Sequence, residues 1–215
     1  IERERPDLIH THFAIPSGLI AYLVARRYRI PYVLTVHGSD IAGYNPDRFT
    51  VLHRLIKPIW RRIVAGAAAL TSPSEFLSGL LREQIEAPVY IVANGYSQPA
   101  PRDGIKRDLV LVAARLFPRK GVQHFIEAIS GVDNGWDYVI AGDGPHLAAL
   151  KSQAALLGSK VTFAGFVAKD ALRRLYEEAR IFVFPSIQEN FPVVLLEAMD
   201  AGCAVITTDA EGCAE

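Results

Sequence analysis

Cysteine is nearly absent: the chain holds only Cys203 and Cys213, and its single methionine is Met199. A disulfide framework is thereby excluded, and a reducing compartment, the cytoplasm, is the expected location. Charge of one sign is missing as well. Lys plus Arg is 23 and Asp plus Glu is 23, a formal net charge of zero. Nothing in that balance draws the chain to a phosphate backbone, so nucleic acid is not an expected partner. No apolar run reaches the ~18 residues of a membrane-spanning helix. Peripheral contact with a membrane surface is the form of membrane association that remains. The sequence also lacks low-complexity stretches, short-period repeats and a GxxxxGK[ST] phosphate loop, which excludes a P-loop NTPase.

What is present suits a soluble α/β protein. Hydrophobic residues make up 50% of the 215 residues and charged residues 21%, enough for a sizeable core and for one or two domains. Short apolar, β-branched runs recur at Asp7–Phe13, Tyr32–His37, Ala68–Ser72, Val89–Ala93, Leu109–Arg115, Trp136–Ala141, Lys160–Gly165, Ile181–Pro185 and Ala204–Thr208. Several are apolar at almost every position, which means burial on both faces, as in a parallel sheet covered by helices. Segments with helical spacing lie between them, at 17–28, 48–65, 75–86, 120–130, 145–157, 169–179 and 191–201. Alternation of this kind predicts right-handed βαβ crossovers and doubly wound sheets.

One stretch interrupts the alternation. Residues 96–108 carry Pro99, Pro101 and Gly104 and almost no apolar side chain, which is linker composition. The expected organisation is a partial first domain over 1–97, a linker over 98–107 and a partial second domain over 108–215. The chain opens on Ile1 and closes just past a strand-like run, which is the expectation for a fragment or a processed product.

The segment PSIQENFPVVLLEAMDAG, residues 185–202, carries the strongest chemical signal. An apolar strand ends at Pro185–Ser186, a short loop holds Glu189, and a helix is predicted from about Phe191–Pro192, where proline is tolerated in the first turn. Glu197 follows Glu189 by eight positions, about 12 Å of rise if the whole interval were helical. That span resembles the distance from sugar to ribose in a nucleotide sugar. Between the two carboxylates a helix N-terminus offers amides near Phe191, Val193 and Val194 to a diphosphate. The plain alternative is a capping acid followed by an exposed helical glutamate; the apolar neighbours of Glu197 favour function.

The same segment resembles the Glu-x7-Glu motif of retaining GT-B glycosyltransferases, family 4 in particular. VAARLFPRKG at 112–121, IAGDGP at 140–145, VTFAGFV at 161–167 and TVHGSD at 35–40 resemble further landmarks of that family, in its order. The resemblance implies two Rossmann-like domains facing each other, the second binding a nucleotide diphosphate sugar and the first a sugar, lipid-linked or other hydroxyl acceptor. It selects Arg115 and Lys120, at the end of one strand and the start of the next helix, as the cations that stabilise the departing diphosphate. Their charge implies a metal-independent reaction, with no cofactor beyond the nucleotide sugar itself. It further implies Glu189 for the sugar hydroxyls, Glu197 for the ribose, the backbone at Val167 for the base, and His37 for positioning or polarising the sugar. Retention by front-face attack needs no protein nucleophile.

Other readings stay open. His37 also fits a capped turn in which Ser39 or Asp40 begins the next segment. His10 and His12 share one strand face, but no third ligand at matching spacing accompanies them, so they are taken as structural or cleft-lining. Arg119 is expected to be a solvated charge. Gly142-Asp143-Gly144-Pro145 lacks the third glycine of a dinucleotide fingerprint, which disfavours a dehydrogenase. The sequence departs from the family at Ser97, where aspartate is usual, and at Glu211, where glycine is frequent. A nucleotide-sugar epimerase of the same fold and a non-catalytic nucleotide-binding homologue or fragment are the rival functions.

Overall fold

A computed structural model describes residues 6–41, 44, 50–97 and 105–215, with the backbone alone at 50–53. The chain divides into two compact units, Ile1–Asn94 with Glu215, and Gly95–Ala214.

In the first unit the strands are β1 (Ile9–His12), β2 (Tyr32–Thr35), β3 (Ala69–Ser72) and β4 (Val89–Ile91), joined through α1 (Leu19–Tyr28), α2 (Thr50–Ala65) and α3 (Glu75–Arg82). All pairings are parallel, in the order β1-β2-β3-β4. Each helix is thus a crossover between adjacent strands. The core is made where the helices cover the sheet: Tyr32, Leu34, Ile63, Leu77 and Leu81 are all buried. Ser74 caps α3 by accepting from the Leu77 N–H at 3.2 Å, the ordinary role of serine before a helix.

The second unit contains β5 (Arg107–Ala113), α4 (Val122–Ala128), β6 (Asp137–Ala141), α5 (Leu147–Leu157), β7 (Thr162–Gly165), α6 (Lys169–Glu178), β8 (Ala179–Phe184), α7 (Val193–Asp200) and β9 (Ala204–Thr207). Its parallel sheet runs β7-β6-β5-β8-β9. The order reverses at β5, between β6 and β8, so helices cover both faces. Two apolar clusters reflect this, one around Leu109, Leu111, Phe182 and Phe184, the other around Val110, Val112, Ile126 and Ile140. Neighbouring residues of β5 point to opposite faces, and both faces are dry, which is why this strand reads as continuously apolar.

Element boundaries differ from expectation in informative places. Residues 98–104 of the expected linker lie outside the described residues, and β5 already begins at Arg107. Helix α4 starts at Val122 rather than at residue 120, because Gly121 takes a left-handed conformation at φ 67 and ends a separate turn. Helix α7 starts at Val193. Pro192 precedes it as the N-cap residue, and Phe191 lies outside the helix.

Candidate active site

Reversal of strand order opens a crevice at the carboxyl ends of β5 and β8, where ligands bind in open parallel sheets. Two loops meet there. After β5 the chain enters one tight turn, Pro118–Lys120. After β8 it runs through Pro185 to Glu189. A Cβ on Gly121 would lie 1.8 Å from the Pro185 carbonyl oxygen, so the first loop can rest on the second only with glycine at that position. The Ile187 N–H also donates to the Arg119 carbonyl at 2.9 Å.

This packing brings Lys120 onto Glu189. The Lys120 ammonium donates to Glu189 Oε1, with the two side chains only 15% and 13% exposed. The fully buried Ser186 donates its hydroxyl to the same oxygen at 2.6 Å. Lys120 Nζ lies 5.4 Å from the centre of the Phe184 ring, a cation–π contact. Glu211 joins from the turn after β9: its Oε2 accepts the Glu189 N–H at 3.2 Å. Glu211 stands at φ 50, in the left-handed region that favours glycine. Burial raises its carboxyl above the ordinary range, the nearby charge of Glu189 adds to this, and the bond from the Glu189 N–H opposes it. Gly212 follows against Asn190, whose carbonyl oxygen a Cβ would meet at 1.8 Å.

Arg115 leaves the end of β5 with its guanidinium 5.2 Å from the Phe117 ring centre, and Arg119 approaches the same ring at 5.2 Å. Arg119, expected to be merely solvated, therefore shares the aromatic platform of Arg115, and its carbonyl ties the two loops together.

The interval from Glu189 to Glu197 is helical only from Val193 onward, so the helical rise estimated from spacing does not apply. Glu197 sits in α7 facing Tyr176 of α6. Burial raises the Tyr176 phenol, and the Glu197 charge raises it further. The Tyr176 hydroxyl is buried without a hydrogen bond of ordinary geometry. Tyr176 also lines a pocket of about 550 Å³, together with Arg115, Gly142, Phe166, Val167 and Val194. The pocket wall at Gly142 depends on glycine, since a Cβ would fall 1.9 Å from the Ala114 carbonyl oxygen. Arg115, Val167, Val194 and Tyr176 thus surround one cavity, and Lys120 and Glu189 form one ion pair in the crevice. Tyr176 and Ser186 were not singled out by sequence reasoning. Tyr176 carries only the periodic apolarity of any core position, and Ser186 is a small polar residue at a strand end, an ordinary turn signal.

His37 belongs to the first unit, just after β2. Its N–H donates to Asp40 Oδ1 at 3.0 Å, and the other Asp40 oxygen accepts the Ala14 N–H at 2.8 Å. The capped turn is therefore present, and the ring is engaged as well: His37 Nε2 lies 2.8 Å from His12 Nδ1. His10 Nε2 lies 2.8 Å from Thr35 Oγ1. A ring nitrogen pair at this distance shares a proton. Among the described residues, no group of three or more His, Cys, Asp or Glu side chains could hold a metal ion.

Two Rossmann-like parallel-sheet units with such a crevice define the GT-B class of glycosyltransferase structure. HepE from Anabaena, crystallised with UDP, superposes with a TM-score of 0.80 at 20% identity, covering 97% of this chain and 61% of that one. Sucrose-phosphate synthase from Thermosynechococcus elongatus gives 0.73 at 22%, covering 96% and 57%. The chain belongs to the family described as Glycosyl transferases group 1, whose profile matches residues 100–215; that of Glycosyltransferase Family 4 matches residues 1–97. TuaC of Bacillus subtilis, described by name as a teichuronic acid biosynthesis glycosyltransferase, is 33% identical over 96% of this chain and 54% of its own length. Uncharacterized glycosyltransferase MJ1607 of Methanocaldococcus jannaschii is 36% identical over 99% of this chain and 60% of its own length. The chain thus spans little more than half the length of these relatives.

Proposed function

We propose that this chain carries the donor site of a retaining, metal-independent glycosyltransferase of carbohydrate biosynthesis, moving a sugar from a nucleotide diphosphate sugar to a hydroxyl acceptor. The observation that carries the reading is the Lys120–Glu189 pair at the point of strand reversal, beside a 550 Å³ pocket walled by Arg115, Val167 and Val194. The base stacks in the apolar part of that pocket against the Val167 segment. Glu197 takes the ribose hydroxyls, and the buried Tyr176 hydroxyl stands beside it. Arg115 and Lys120 take the diphosphate as its negative charge grows on departure, where preorganised cations act most strongly. Amides near Phe191, Val193 and Val194 hold phosphate or sugar oxygens, and Glu189 accepts from sugar hydroxyls. His37 polarises or positions the donor sugar. HepE binds UDP, so UDP is the first nucleotide to test.

Calorimetric titration with UDP, UDP-glucose and GDP-mannose, with and without EDTA, tests the reading. Binding of at least one, unchanged by the chelator, is expected; a strict need for a divalent cation or no binding by any of them refutes it. Product NMR with donor alone separates transfer from epimerisation.

We also propose that the protein works in the cytoplasm, in peripheral contact with anionic lipid. Helices α1 and α2 carry Arg26, Arg27, Arg54, Lys57, Arg61 and Arg62 and no acidic residue. Ile20, Leu23, Leu55 and Ile59 are exposed on them. Basic and apolar groups together suit a negatively charged bilayer surface. Flotation with phosphatidylglycerol vesicles but not with phosphatidylcholine vesicles is expected, and equal behaviour with both refutes it. Among the described residues, no helix is long and apolar enough to cross a membrane.

A further inference from the structure

His12 ends β1 and His37 follows β2, and the register pairs these strands residue by residue, His12 beside Thr35. The two rings approach as a pair: Nδ1 of His12 lies 2.8 Å from Nε2 of His37, with ring centres 5.1 Å apart and planes inclined by 29°. Phe13, held at φ 66, places its ring 4.7 Å from His37. Asp40 fixes the His37 backbone from below, and the same carboxylate anchors Ala14, the residue after Phe13. Both strand ends are thus locked to one carboxylate, and the imidazoles are held in register by elements on both sides. His12 is exposed and His37 half-buried.

We propose that His12 is the positioning residue of His37, fixing the orientation of its ring and forming with it a single proton-sharing unit. The inference rests on the role assigned to His37 above.

Proton accounting gives the consequence. Two neutral imidazoles carry two protons on four nitrogens, and one proton occupies the bridge. The other must sit on one of the two outer nitrogens, His37 Nδ1 or His12 Nε2. If His37 donates across the bridge, its Nδ1 is an acceptor and His12 Nε2 is protonated. If His12 donates, His37 Nδ1 carries the proton. Shifting the bridge proton therefore turns His37 Nδ1 from acceptor to donor, while the compensating proton enters or leaves at exposed His12. A first added proton can be shared along the bridge, whereas a second puts two cations in contact and breaks the bond. Among the described residues, the titratable groups that face the pair are Asp40 beside His37 and His10, whose ring centre is 4.6 Å from that of His12. Burial lowers the His37 pKa, Asp40 opposes this, and His12 lowers it further. The balance favours the neutral ring.

The experiment follows the imidazole nitrogens by long-range ¹H–¹⁵N correlation in ¹⁵N-histidine-labelled protein between pH 5 and 8. In the parent chain His37 should titrate below the ordinary imidazole range, since burial and the neighbouring His12 both disfavour its cation. In His12→Phe, His37 should titrate in one step at higher pH than in the parent. If that variant does not fold, His12→Asn reads the same change, because it too removes the second titrating ring. An unaltered His37 titration in either folded variant overturns the proposal. With UDP-glucose as the donor probe, His12→Phe should lower turnover by about 2- to 12-fold, the range for one lost hydrogen bond, and His12→Asn should lose less. Wild-type turnover in His37→Ala would remove the parent reading, while the nitrogen titration would still decide the pairing.

Discussion

Lys120→Met is the most discriminating perturbation of the crevice. The substitution keeps the length and most of the volume of the side chain and removes only its charge. Glu189 is then left 13% exposed with its cation gone. Removing one partner of a buried ion pair costs about 3–5 kcal/mol. Two local features adjust that figure in opposite directions. The Ser186 hydroxyl still donates to Glu189 Oε1 at 2.6 Å, which retains part of the compensation. Glu211, whose carboxylate accepts the Glu189 N–H, adds negative charge nearby. The two offset one another, and the expected loss stays within that range, about 3–5 kcal/mol.

The complementary change should cost less. Glu189→Gln leaves Lys120 unpaired, but its ammonium still lies over the Phe184 ring, and a long aliphatic stem can carry the charge toward water. The double variant removes both charges, and a coupling of about 1–3 kcal/mol should appear in the cycle. Urea unfolding, followed by a probe in the second unit, measures all four proteins. A loss below about 1 kcal/mol for Lys120→Met would place the pair with ordinary surface ion pairs. Additive single and double variants would show that the two charges are not coupled, and the geometry argued here would fail.

Glu189→Gln should also tighten UDP binding by about 3- to 10-fold, because an ammonium no longer held by a carboxylate is available to the diphosphate; weaker binding in calorimetry would refute the shared use of Lys120. Gly121→Ala should unfold the second unit or lower its melting temperature sharply, since the left-handed φ alone costs about 1–3 kcal/mol and the new Cβ meets a carbonyl oxygen at 1.8 Å; a well-folded variant of near-parent stability would refute this. Glu211 holds its proton more tightly folded than unfolded, so its contribution to stability is complete below the ordinary glutamate range and is lost as pH rises through the raised folded value. Glu211→Gln should abolish that fall above the ordinary glutamate range, and an unchanged pH slope in urea midpoints would contradict the assignment.

The fold was legible because its central strands are buried on both faces. LVLVA in β5 and IFVF in β8 leave no ambiguity of burial, and the intervening segments carry helical spacing. Their amino ends were not legible. Arg107 and Asp108 begin β5 and Arg180 is the second residue of β8, and charge there resembles a loop. In the structure they form ion pairs instead, Arg107 with Asp137 at 3.5 Å and with Glu178 at 3.0 Å, and Arg180 with Asp108 at 3.0 Å. A parallel sheet brings the starts of adjacent strands together at one end, so these charges find partners that sequence separation conceals. The start of α7 was misplaced for a local reason. Proline suits the first helical position and the N-cap almost equally, and only the backbone, with ψ 95 at Pro192, distinguishes them.

The candidate site was legible as a set of residue types and illegible as a set of contacts. The family resemblance put Glu189 and Lys120 to work on different parts of one ligand. The fold brings them into a direct bond, because Gly121 and Pro185 pack the two loops together at the point of strand reversal. The charge of Lys120 is paired with Glu189, so the crevice presents less positive charge than a count of its cations suggests. On the proposed reading, a diphosphate competes with Glu189 for Lys120, at lower cost if sugar hydroxyls replace the ammonium as donors to that carboxylate. A sugar and a diphosphate arriving on one molecule satisfy both halves of the pair at once; either one alone leaves a nearly buried charge without its full complement. On this reasoning the ion pair discriminates in favour of the intact nucleotide sugar over its separate parts, and the tighter UDP binding expected of Glu189→Gln is the measure of that discrimination.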